Sequence, residues 1–98
     1  MLKIGVLGLG IVGSATVKAL QDNESIISAR AGEVLKVVKG VTREPEQAKE
    51  LGISVSDNVD DILNDPEIDV VVELMGGIDF AFECVKKALQ NGKSVVTA

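Results

Sequence analysis

The sequence predicts an α/β fold, a doubly wound sheet of parallel strands with helices on both faces. Three observations predict it. Short apolar, strand-like runs alternate with helical patterns along the whole chain. The first such run feeds a glycine-rich turn that opens a helix. The core material is aliphatic, since Phe80 and Phe82 are the only aromatic residues among 98, and parallel strands buried on both faces are built from Val, Ile and Leu.

The elements follow in order. Lys3–Leu7 is the first strand, and a helix runs from Gly10 to Gln21 with Gly13, Val17 and Leu20 on one face. Asp22-Asn23-Glu24 interrupts the pattern, and Ser25–Gly32 either extends the helix or forms an extra turn. Glu33–Thr42 is rich in β-branched residues and reads as the second strand. Glu44-Pro45-Glu46 starts a short helix, with proline in the first turn and acids beside the positive end of the dipole, and Gly52 stops it. Ile53–Val55 is a brief third strand. Asp57 or Asn58 caps a helix through Leu63, and Asp65-Pro66 turns the chain. Ile68–Leu74 is the fourth strand, ended by Gly76-Gly77. Asp79 caps a helix to Gln90 whose apolar stripe is Phe82, Val85 and Leu89, with Ala81, Cys84 and Ala88 beside it. Lys86 and Lys87 suit the negative end of that helix, Asn91-Gly92 is its left-handed stop, and Ser94–Thr97 is the fifth strand.

Composition narrows the function. A chain of this length is one domain. Its net charge of −5 and its two aromatic residues speak against nucleic acid, which favours basic patches and stacking rings. No apolar run approaches the ~20 residues of a membrane span, and the chain opens directly on a strand pattern, so no signal peptide is expected and a cytoplasmic location is the default. One cysteine excludes an internal disulfide framework. With no histidine, the commonest general base and metal ligand are absent. No metal site and no catalytic residue is assigned.

The glycine turn carries the chemistry. Gly8-Leu9-Gly10-Ile11-Val12-Gly13, between a strand and a helix, is a dinucleotide-binding fingerprint. Gly8 makes the tight turn, Gly10 lets backbone approach a pyrophosphate, and Gly13 lets helix and strand pack closely. The helix N-terminus then offers free N–H groups to the phosphates. Ile11 and Val12 meet the ligand through backbone, their side chains being equally suited to packing on the helix face. With right-handed crossovers the expected strand order is 3-2-1-4-5, a Rossmann-type sheet with its ligand at the switch between strands one and four. Both glycine turns fall there. The end of the second strand reads the adenosine ribose, an acid favouring NAD and an arginine NADP. Here it is Thr42-Arg43, so NADP is favoured over NAD, with Glu44 one residue away as the competing acid.

The chain resembles the N-terminal cofactor-binding domain of homoserine dehydrogenases. The resemblance rests on Ile4–Gly13, Ile27–Gly32, Asp65–Gly77 and Asn91–Ala98. The first segment is generic to the fold; the second and third, with Glu73-Leu74-Met75-Gly76-Gly77, are specific to the family. It implies reversible hydride transfer between L-homoserine and L-aspartate 4-semialdehyde with NAD or NADP, on the route to threonine, isoleucine and methionine. It also implies that Leu9, Ile11 and Val12 line the cofactor, that Arg43 meets the 2′-phosphate, and that Met75, Gly76 and Thr97 lie toward the ribose and nicotinamide. In the family the stretch after Thr97-Ala98 continues into Asn-Lys, whose lysine is implicated in catalysis, and then into a substrate and dimerisation region. These 98 residues therefore read as an excised domain, expected to bind cofactor without turning over the amino-acid substrate alone. The full-length protein is expected to be a homo-oligomer.

Two other function classes fit the nucleotide fold. One is a different NAD(P)-dependent dehydrogenase or reductase, the other a non-catalytic dinucleotide sensor. Glu73, a carboxylate in an apolar strand, either approaches the nicotinamide ribose or is a structural group satisfied by a backbone N–H or a lysine. The structural role is favoured, because buried charges are normally paired. Cys84 is expected to be a small hydrophobe on a packing face, with no histidine to activate it.

Overall fold

A computed structural model describes residues 1–97; Ala98, the last residue of the fourth matching segment, lies outside the described residues. Five strands form one parallel sheet: β1 (Leu2–Leu7), β2 (Leu35–Val41), β3 (Ser54–Ser56), β4 (Val70–Glu73) and β5 (Ser94–Thr97). Their order is β3-β2-β1-β4-β5, as the sequence predicts. The helices are α1 (Ile11–Asp22), α2 (Glu24–Ala31), α3 (Asp60–Leu63) and α4 (Ile78–Gln90).

Two hydrophobic clusters sandwich the sheet. One gathers Ile4, Val6, Leu9, Val17, Val37, Ala48 and Leu51; the other gathers Leu7, Val41, Ile62, Leu63, Ile68, Val71, Cys84 and Ala88. Ile4 and Val6 face one cluster and Leu7 the other, as the period-2 alternation of a strand dictates. Burying Val6, Leu7, Val17, Ile62, Leu63 and Val71 almost completely stabilises the fold by about 1.5–3 kcal/mol per side chain.

Several local expectations change. The open stretch after the first helix becomes a separate helix, α2. Asn23 ends α1, its side chain donating to the Ala19 carbonyl at 2.8 Å, and Gly32 stops α2 in the left-handed region at φ 73°. The segment Pro45–Leu51 is a 3₁₀ helix, in which Gln47 N–H closes back onto the Glu44 carbonyl at 3.1 Å. Seven residues starting at a proline suit that tighter winding, which occurs in short pieces. Asn58, not Asp57, prepares α3: its side-chain oxygen accepts from Asp60 N–H at 2.9 Å, from one residue ahead of the N-cap position Val59, which supplies no side-chain cap. Asp79 does not cap α4. Gly77, at φ 89°, turns the chain into the helix, so Asp79 falls inside the first turn.

The stripe on α4 is the larger correction. Phe82 and Leu89 are 63% and 57% exposed, while Cys84 and Ala88 are buried against the sheet. Phe80, in the first turn of the helix, is exposed as well. The helix lies on β4 and β5 through its small residues, which bring its axis close, and its bulkiest hydrophobes project outward.

The strand before the site is held by a lysine latch. Lys93, at the end of the α4–β5 connection, is buried and donates to the carbonyls of Asp65 and Ile68, the latter at 2.9 Å. Lys39 on β2 pairs with the Asp65 carboxylate at 2.6 Å. That ammonium, with a hydrogen bond from Glu67 N–H, holds the Asp65 carboxyl below the usual carboxylate range. These bonds tie the Asp65–Ile68 turn to the sheet and fix the entry of β4.

Candidate dinucleotide site

The sheet topology opens a crevice where the chain leaves β1 for one side and β4 for the other. The end of β1 is tied laterally on both flanks. Gly8 and Leu9 N–H donate to the Val41 carbonyl at 2.8 and 3.1 Å, and Leu74 N–H donates to the Leu7 carbonyl at 2.8 Å. The β1–α1 turn, the end of β2 and the loop after β4 therefore meet around one cleft of about 1430 Å³. A second concavity, between α1, α2 and β2, is only about 160 Å³, below the usual range for sites of even drug-sized ligands.

Gly8, Leu9, Gly10, Ile11, Arg43, Met75 and Gly76 line the large cleft. The three turn glycines are there for different reasons. Gly8 sits at φ 99°, and a side chain on it would press on the Leu74–Met75 peptide at 2.9–3.0 Å. A Cβ on Gly13 would overlap the Gly8 carbonyl oxygen, so Gly13 serves turn–helix packing and does not line the cleft. Gly10 differs from both. Its backbone is extended, at φ −75°, and a Cβ there meets nothing within 4 Å. Neither strain nor internal packing calls for glycine at this position, whereas a ligand approaching the backbone does. Gly76 on the opposite wall has the same empty surroundings and no positive φ.

The start of α1 leaves its leading amides without side-chain partners. It has no side-chain cap and no acid in its first turn. The hydroxyl of Ser14 donates to the Leu9 carbonyl at 3.2 Å and leaves the leading amides alone. Those amides and the positive end of the helix dipole face the cleft beside Gly10. Leu9 contributes only backbone there, since its side chain is 5% exposed within the core and packs where any side chain on Gly40 would stand. Ile11 and Val12 are 93% and 67% exposed, so neither packs on the helix face.

At the other end of the cleft Arg43 follows β2, exposed and without an ion pair among the described residues. Glu44 lines the same wall, its N–H drawn toward the Thr42 hydroxyl at 3.4 Å. Thr97 is not part of the lining; its hydroxyl donates to Glu73 Oε1 at 2.6 Å. Sequence reasoning missed Ser14, Thr42, Gln47, Asn58 and Phe80, which also line the cleft. The signal was positional: Thr42, Gln47 and Asn58 follow the C-terminal ends of β2 and β3, where open α/β sheets bind ligands. The family-specific segment Ile27–Gly32 lies at the end of α2 and does not reach the cleft.

Glu73 is 4% exposed and has no lysine or arginine partner among the described residues. Its two oxygens accept from Met75 N–H and from the Thr97 hydroxyl, both at 2.6 Å. The expected backbone partner is present and the lysine is not. Cys84 is buried; desolvation, reinforced by the charge of Glu73, pushes its thiol above the usual range, as suits a packing residue.

Known proteins agree with this geometry. The family model for the homoserine dehydrogenase NAD-binding domain matches residues 8–98. The homoserine dehydrogenases of Helicobacter pylori and Pseudomonas aeruginosa are each 43% identical to the chain, over 97 and 98 residues. In both cases the match covers 99% of this chain and 23% of the relative, so the chain spans about a quarter of their length. The crystal structure of a homoserine dehydrogenase from Thiobacillus denitrificans superposes with a TM-score of 0.90 at 44% identity, over 98% of this chain and 23% of that one. The S. aureus enzyme superposes with a TM-score of 0.88 at 32% identity, over 98% of this chain and 25% of that one. A crevice at the strand-order switch, a free helix N-terminus and these matches lead to one assignment: the chain belongs to the homoserine dehydrogenase family, as its NAD-binding domain.

Proposed function

We propose that the cleft holds NADP(H) in preference to NAD(H). In the longer protein it would serve reversible hydride transfer between L-homoserine and L-aspartate 4-semialdehyde. The observation that carries the cofactor preference is Arg43: a solvent-facing guanidinium with no ion pair among the described residues, on the cleft wall at the end of β2. That is where a ribose 2′-phosphate would be read, and a planar guanidinium grips phosphate through paired hydrogen bonds.

The remaining assignments follow the two walls. The backbone of Gly8, Leu9, Gly10, Ile11 and Val12, with Gly13 securing the turn, would hold the pyrophosphate at the start of α1. Met75 and Gly76 would face the ribose and nicotinamide, with Thr97 acting behind them. When bound, the nicotinamide supplies or accepts the hydride. The amino-acid substrate and the residues that activate it belong to parts of the longer relatives outside these 98 residues, and so does the expected dimer contact.

Calorimetric titration with NADPH and NADH tests the preference. Arg43→Ala is expected to weaken NADPH by about 10- to 100-fold, the loss of a charge-assisted phosphate contact, and to leave NADH nearly unchanged. Equal effects on the two cofactors would remove Arg43 from the phosphate role. Steady-state turnover of homoserine by the 98-residue chain is expected to be absent, and robust turnover would contradict the division of labour.

A further inference from the structure

We infer that Glu73 is a positioning residue for the nicotinamide-ribose half of the cofactor, acting through Met75 and Thr97; the inference rests on the cofactor reading above. Glu73 is the last residue of β4 and stands in register between Leu7 of β1 and Thr97 of β5. A carboxylate there is expensive. It is buried, it has no cationic partner among the described residues, and a hydrophobe such as the neighbouring Val71 would fill a strand more cheaply. What the carboxylate does, and a hydrophobe cannot, is hold two groups on separate elements at once.

Glu73 Oε2 takes the Met75 N–H, and that fixes the peptide leading into Gly76 and Gly77 on the cleft wall. Glu73 Oε1 takes the Thr97 hydroxyl proton at the end of the next strand. The Thr97 hydroxyl has spent its only donor on this contact, which holds the end of β5 against β4 behind the cleft wall. In the loop after β4, Leu74 and Met75 pack against the two core clusters, but beyond them Gly76 and Gly77 have no side chain to set the course of the backbone, and α4 has no side-chain cap. The Glu73 carboxylate supplies that constraint. The opposite end of the cleft, with Thr42 and Arg43, lies across β1 on the far side of the strand-order switch and makes no contact with this group.

The asymmetry makes the role testable with two ligands. NADPH spans both halves of the cleft, while 2′,5′-ADP carries only the adenosine and its 2′-phosphate. Binding of each to the 98-residue chain is measured by calorimetry, with the cofactor's own fluorescence as a second readout, since the chain has no Trp or Tyr. Glu73→Ala is expected to weaken NADPH about tenfold, as for loss of a hydrogen-bonded charged group, and to leave 2′,5′-ADP unchanged. Glu73→Gln can still accept from Met75 and can donate to Thr97, so it should bind NADPH within about twofold of wild type. Thr97→Val, on the exposed edge strand, removes one arm without emptying the interior and should weaken NADPH severalfold. It carries the test if Glu73→Ala fails to fold.

Equal losses for both ligands would overturn the inference by making Glu73 a general structural group. An unchanged NADPH affinity in Glu73→Ala, or in Thr97→Val if the alanine variant does not fold, would overturn it as well. So would a Glu73→Gln variant as weak as Glu73→Ala, because charge and not geometry would then be at work. Failure of the wild-type chain to bind either ligand would instead overturn the cofactor reading itself.

Discussion

At the residue scale the site is a matter of where side chains are missing. Gly13 and Gly10 stand three positions apart in the same motif, yet their surroundings demand opposite behaviour. Gly13→Ala would normally gain helix propensity, but its Cβ would collide with the Gly8 carbonyl, and forcing it in should cost about 1–3 kcal/mol. Gly10→Ser meets open space at an extended position just before α1, where a serine can cap the helix. It should raise stability by about a few tenths of a kcal/mol while weakening dinucleotide binding tenfold or more, because its side chain enters the phosphate path. Thermal melts and titrations of the two variants separate the roles. A Gly10→Ser protein that binds as well as wild type would show that the glycine is there by accident. The motif itself was legible in the sequence, because its spacing reports backbone geometry. The division of labour was not, because it depends on which atoms stand opposite each missing Cβ.

At the scale of elements, two features decide how the walls are held. The first is the turn before β4, pinned by Lys39 and Lys93. Since the folded state depresses the Asp65 carboxyl, its contribution is complete above the unfolded value of about 4. It is lost as pH falls through the lower folded value. Asp65→Asn should therefore lower Tm at neutral pH, and the difference from wild type should vanish as pH approaches about 2. A difference that persisted or grew in acid would contradict the pairing. The second feature is α4. Hydrophobic spacing selected Phe82, Val85 and Leu89 as the inner stripe, and the exposure of Phe82 and Leu89 contradicts it. Periodicity ranks residues by hydrophobicity, but a helix crossing a sheet at close range selects for small size, which Cys84 and Ala88 provide. Phe82→Glu is accordingly expected to change stability by no more than about 0.5 kcal/mol in thermal or denaturant unfolding. A loss of several kcal/mol would place Phe82 in the core after all.

At the scale of the whole molecule, function follows from strand order. Five parallel strands arranged β3-β2-β1-β4-β5 send their connections to opposite faces at β1 and β4, and the crevice there is the cofactor site of the fold. This level was the most legible. Alternating elements with right-handed crossovers leave few topologies, and two glycine turns at the ends of the first and fourth strands point to one switch. The residues that close the cleft from β2 and β3, such as Gln47 and Asn58, were not legible, because no motif marks them and only the assembled sheet brings them near Gly10. On the function proposed above, one dinucleotide spans this crevice from Arg43 to Gly76. Amide chemical shifts of the ¹⁵N-labelled chain titrated with NADPH test it most directly. Saturable shifts are expected in Gly8–Gly13, Thr42–Glu44 and Met75–Gly77, with the small groove near Leu20, Ile27 and Ile53 undisturbed. Absence of saturable binding, or shifts centred on that groove, would contradict it.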